Sequence, residues 1–252
     1  MAVTLSLTAT DQNQFTTGDT HTFSGVSLGA EAADRLIFVA TTNVPASNDR
    51  VISVTVAGGA TTRAGSLSTS NARMWWAAVP TGTTGDIVLT FTTSAEDEAF
   101  SIHVYRVIGA NTTTPVSDTA EEIENTTDAN ISGVIDVPTD GALIAVCRGD
   151  IVFDGGGPLT MAWTNASEDS DFMVDGGVAN GTDNVSSTAS STTSGAGQTI
   201  TATVSGTPDV TNCYLTLVSI AAAAAAGQPT VKRWGGIQFN SITGNIQGHR
   251  RW

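Results

Sequence analysis

Short runs in which apolar and β-branched residues alternate with polar ones recur from one end of the chain to the other: DRLIFVATT, VISVTVAGG, DIVLTFTTS, FSIHVYRVIG, GALIAVCRG, QTITATVSG and CYLTLVSIA. Each is bounded by Gly, Pro, Asn, Asp or Ser. A period of two places successive side chains on opposite faces of a strand, and the intervening residues supply the backbone geometry of tight turns. Strand signals spaced roughly 8 to 12 residues apart leave room for hairpins but not for crossover helices. The expected class is therefore all-β, an antiparallel β-sandwich of jelly-roll type. At 252 residues the chain is long enough for one large core or two small ones.

Laid side by side, the two halves of the sequence match. FSGVSLGAEAADRLIFVA, from Phe23 to Ala40, parallels ISGVIDVPTDGALIAVC, from Ile131 to Cys147. Further on, Ile87, Leu89 and Phe91 fall against Ile200, Ala202 and Val204, and Phe100, Ile102 and Val104 against Cys213, Leu215 and Leu217, with an offset of 107 to 113 residues throughout. Such self-similarity marks a structural repeat. The chain reads as two related β halves, 1–115 and 116–222, forming either two sandwiches or one fused domain. Six alanines, Ala221 to Ala226, then precede Gly227 and Pro229. They offer no bulky side chain to a core, so residues 223–252 read as an Ala-rich linker and a C-terminal arm.

Charge divides along the same boundary. The net charge is −14, yet residues 228–252 contain Lys232, Arg233, Arg250 and Arg251 and no acidic residue, leaving six basic against 24 acidic groups in the rest. An acidic body repels phosphate backbones, which argues against a nucleic-acid partner. No window approaches the roughly 20 apolar residues of a membrane span, and the N-terminus lacks the basic and apolar regions of an export signal, so cytoplasmic synthesis is expected. Cys147 and Cys213 both sit in apolar strand-like runs. Two reduced core cysteines is the plainer reading and a bridge the alternative.

Motifs for chemistry are sparse. His21, His103 and His249 are far apart and fit no zinc spacing; there is no nucleophile elbow and no P-loop. No metal, cofactor or catalytic residue is therefore expected. Three acidic clusters, Glu96–Asp97–Glu98, Glu121–Glu122–Glu124 and Glu168–Asp169–Asp171, read as solvated loops, with calcium ligation as the alternative. Trp75 and Trp76 are consecutive, so in a strand one ring faces the core and the other outward, where it is a candidate ligand contact for a sugar ring or a partner's pocket. Arg148, Gly149 and Asp150 spell RGD, a tripeptide too short to carry a claim.

The arm has the composition of a docking segment. Arg and Trp dominate binding hot spots, and here Lys232, Arg233, Trp234, Phe239, Arg250, Arg251 and Trp252 lie among glycines that let the chain bend. A segment this short orders only against another surface, and an acidic surface attracts it. These seven residues are the expected partner anchors.

Several stretches, DRLIFVA, VISVTVAGGATT, MWWAAVPTGTTGDIVLTFTT, IHVYRVIGANTTTPVSDT, IDVPTDGALIAV, MAWTNASEDSDF and the ending VKRWGGIQFN, give the chain a resemblance to tailed-bacteriophage virion structural proteins of β-sandwich type. The resemblance implies a non-enzymatic head decoration or accessory tail component, made in the host cytoplasm and located on the virion. Its partners would be other virion proteins, of capsid or tail, and copies of itself. It carries over no catalytic residue. The competing readings are an adhesin module that binds a host surface glycan or receptor and, last, a glycan hydrolase.

Overall fold

A computed structural model describes residues 1–44, 51–66, 70–124, 130–152, 159–174, 182–205, 210–224, 232–234 and 237–239. The first half contributes β1 (Thr4–Ser27), β2 (Leu36–Val44), β3 (Val51–Val56), β4 (Gly59–Ala60), β5 (Thr62–Ala64), β6 (Ala72–Ala78) and β7 (Thr84–Ile108). The second contributes β8 (Val116–Glu124), β9 (Asn130–Val137), β10 (Ala142–Val152), β11 (Thr160–Thr164), β12 (Ser167–Val174), β13 (Thr182–Ser191), β14 (Gly195–Ser205) and β15 (Val210–Ile220). The described part of the arm holds β16 (Lys232–Trp234) and β17 (Ile237–Phe239). All strand pairs are antiparallel, so the all-β sandwich class is met.

The two halves share one topology. In the second, a five-stranded sheet of order β12-β13-β10-β15-β8 faces a three-stranded sheet of order β11-β14-β9. In the first, β1 and β7 each run through both layers. Ala99–Ile108 of β7 pairs with β2 and with Thr4–Gln14 of β1, and Thr84–Phe91 pairs with β3 and with Thr20–Ser27 of β1. Register shifts in β1 at residues 14 to 20 mark the bend between layers. What the first half makes from two long strands, the second makes from four: β8 and β9 replace β1, and β14 and β15 replace β7.

Each sandwich has its own core. Ile87, Leu89, Phe91, Phe100, Ile102 and Val104 pack in the first with Ile37, Val39 and Trp75. Their repeat partners Ile200, Ala202, Val204, Cys213, Leu215 and Leu217 pack in the second with Leu143, Ala145 and Cys147. A third apolar layer then joins the halves. The opposite faces of β2, β6 and β7, through Leu36, Phe38, Met74 and Val107, meet those of β10 and β15, through Ile144, Val146, Val218 and Ile220. Both faces of β2 and β10 are consequently buried, which is why LIFVA and ALIAVC are nearly unbroken apolar runs. Burying a large apolar side chain contributes roughly 1.5 to 3 kcal/mol, so this seam amounts to on the order of 10 kcal/mol.

The polyalanine run begins as part of the body. Ala221 N–H donates to Pro115 O and Ala223 N–H to Gly109 O, each at 2.8 Å, while Asn111 N–H donates to Ala221 O at 3.0 Å. Methyl side chains permit that close backbone approach, so the described chain stays bonded to the body as far as Ala223, beside the connector between the halves. Further along the chain β16 pairs antiparallel with β17, Lys232 opposite Phe239 and Trp234 opposite Ile237.

Candidate functional site

The seam also carries buried polar side chains. Toward one end its apolar contacts give way to a polar cluster in which Thr42 of β2, Ser101 and His103 of β7, and Ser186 and Thr188 of β13 are all buried. Thr42 Oγ1 donates to Ser186 Oγ at 3.0 Å, Ser101 Oγ lies 2.8 Å from Ser186 Oγ, and Ser186 Oγ lies 2.9 Å from His103 Nε2. Thr188 Oγ1 lies 3.3 Å from Nδ1, and Phe172 stacks on the imidazole at 4.9 Å. A serine beside a histidine has the outline of a nucleophile and its base. Here both are sealed at 0% exposure, burial pushes the imidazole down to about 3, and a threonine hydroxyl rather than a carboxylate faces Nδ1. The arrangement ties the two halves together and offers no path to a substrate.

Other buried polar groups do similar work. Tyr105 of β7 donates its hydroxyl to Asp169 Oδ2 of β12 across the seam at 2.9 Å, and burial followed by that carboxylate raises the phenol. Thr216 Oγ1 donates to Ala72 O at 2.7 Å. The RGD tripeptide lies inside β10: Arg148 pairs with Asp150, its guanidinium sits 5.3 Å from the Tyr214 ring centre, and both charged residues are buried. It cannot be presented to a receptor in this fold. Cys147 and Cys213 are thiols with no disulfide between them, both buried in the second core.

The acidic clusters are on strands, not in loops. Glu96, Asp97 and Glu98 fall within β7, Glu121, Glu122 and Glu124 on β8, and Glu168, Asp169 and Asp171 on β12. Both β8 and β12 are sheet edges, where charge discourages pairing with another chain. Among the described residues no group of three His, Cys, Asp or Glu side chains could hold a metal ion, and no helix is long and apolar enough to cross a membrane.

The expected contact residues are divided by the fold. Trp75 points into the first core, 4% exposed, with Nε1–H donating to Thr41 Oγ1 at 3.4 Å. Trp76 faces the seam, half-buried, with its ring 6.4 Å from that of Phe38 at an interplanar angle of 25°. It forms a wall of a cleft of about 390 Å³ where β5 and β6 meet the inter-half connector. Thr62, opposite Trp76 in the strand register, and Thr113, Thr114 and Thr119 add hydroxyls. Nearby, Glu121 Oε1 accepts from Arg63 Nη2 at 3.1 Å and Oε2 accepts from Ser66 N–H at 2.6 Å. A wider cleft of about 630 Å³ at the end of the second sandwich has no aromatic or charged wall. In the arm, Lys232 pairs with Phe239 and Trp234 with Ile237, whereas Arg250, Arg251 and Trp252 lie outside the described residues.

Sequence reasoning missed Arg35. It is 1% exposed and donates to the carbonyls of Val79, Gly29, Thr81 and Gly82 at 2.6 to 2.8 Å, fixing the loops at one end of the first sandwich. Its buried setting beside LIFVA was the available signal. Neither a protein-family profile nor a curated protein matches the chain.

Proposed function

We propose that the protein is a non-enzymatic structural component of a tailed-phage virion, a head decoration or accessory tail protein whose β body is displayed and whose C-terminal arm docks on a neighbouring virion protein or a sister copy. The observation that carries this reading is the state of the arm. Among the described residues β16 and β17 form a two-stranded sheet of their own and join none of the body's sheets. An isolated hairpin is marginally stable in water, and these strands are three residues long, so the segment needs a surface to order against. Four cations and two tryptophans on an arm attached to an acidic body favour an acidic, pocketed partner surface. The sequence resemblance supplies the setting.

The test is cosedimentation of full-length protein and of a 1–227 truncation with particles that lack the protein, with circular dichroism to establish that the truncation is folded. Full-length protein pellets and the truncation stays in solution if the arm is the anchor. Equal pelleting of the two forms contradicts it.

A further inference from the structure

The Trp76 cleft has the makings of a ligand site. Three of the five tryptophans belong to the described body: Trp75, Trp76 and Trp163. Trp75 donates its N–H to Thr41 and Trp163 donates to Ser187 Oγ at 2.8 Å. Trp76 donates to no acceptor among the described residues, and its indole nitrogen is not among the buried groups that lack a partner, so the N–H is accessible on a residue that lines the cleft. Its ring is held against Phe38, which removes much of the rotamer entropy that ordering a side chain around a ligand costs. The surrounding hydroxyls of Thr62, Thr113, Thr114 and Thr119 both donate and accept, and the Arg63–Glu121 pair lies beside them with side-chain exposures of 20% and 5%.

We propose that this cleft is a subsite for one neutral hexose unit of a saccharide. A pyranose presents an apolar C–H face and a rim of hydroxyls, which match an indole face ringed by threonines. Neutrality follows from charge: the body carries 24 acidic groups against six basic ones, and the nearest cation, Arg63, already serves Glu121. The proposal goes beyond the virion reading and stands without it, since either outcome of the cosedimentation leaves the cleft intact.

The test is saturation-transfer NMR on the full chain with methyl glucoside, methyl galactoside, maltohexaose and the anionic polymer polygalacturonate. The neutral probes are expected to give transfer with a Kd on the order of millimolar, stronger for the hexasaccharide than for the methyl glycosides if the natural source is a polymer. Thr114→Trp, which fills the cleft from an exposed position without touching either core, should weaken binding at least tenfold. Trp76→Phe should weaken it less. Absence of transfer from every neutral probe overturns the proposal, as does transfer that survives Thr114→Trp or comes from polygalacturonate alone. A Thr114→Trp-sensitive change in Trp76 resonances that grows with protein concentration in the absence of sugar would place a peptide segment in the cleft and overturn it too.

Discussion

His103 sits between the two sandwiches with no solvent contact, and desolvation lowers its pKa to about 3. Hydroxyls of Ser186 and Thr188 approach its ring nitrogens and Phe172 covers a face, so the neutral ring is well accommodated and a charged one is not. In the unfolded chain the same group titrates near its ordinary value of about 6.5. Because the folded value is the lower one, unfolding takes up a proton, and the stability due to His103 is lost as pH falls from about 6.5 toward about 3, at ~1.4 kcal/mol per pH unit. Asp150, raised by burial against the opposing pull of Arg148, acts in the other sense, since its penalty is relieved by acid. Denaturant unfolding of wild type and His103→Gln between pH 7 and pH 4 separates the two. Wild type should lose stability faster than the variant by roughly that slope, and parallel profiles would contradict the assignment.

At the scale of elements, Arg63 and Glu121 join the edge strands β5 and β8 across the two halves. Gly65 has φ +90°, and a Cβ there would meet the Glu121 carboxylate at 2.6 to 2.8 Å. Gly65→Ala should therefore strain the backbone and push Glu121 off Arg63 and Ser66, destabilising the protein by roughly 1 to 3 kcal/mol in equilibrium unfolding. Unchanged stability would mean that the Arg63–Glu121 contact is incidental. Most strands were legible because alternation and turn residues are local signals. So was the repeat, since its paired positions are core positions in both halves. One pair is misleading: the repeat sets Val26 against Val134, yet Val26 is buried and Val134 is 59% exposed. A register shift between Phe23 and Val26, with Gly25 at φ +66°, flips the following residue inward in the first half only. The acidic clusters of β8 and β12 were misplaced because charge on an edge strand looks like charge in a loop. Trp76 was legible as one of a pair, but not which of the two would reach a cleft, and the partners of His103 lie more than 80 residues away along the chain.

For the whole molecule, the seam decides what the protein can present. It fixes the distance between the two sandwiches and forms the Trp76 cleft where the first half meets the connector. An apolar layer containing Leu36, Phe38, Met74, Ile144, Val146, Val218 and Ile220, all at 0% exposure, is a domain core rather than a contact between independent modules. The direct check is differential scanning calorimetry of the full chain at neutral pH. One cooperative transition with equal calorimetric and van't Hoff enthalpies is expected of a body whose halves share a core. Two transitions, one for each sandwich, would contradict the account: the seam would then be a weak contact, and the cleft would not be held in place.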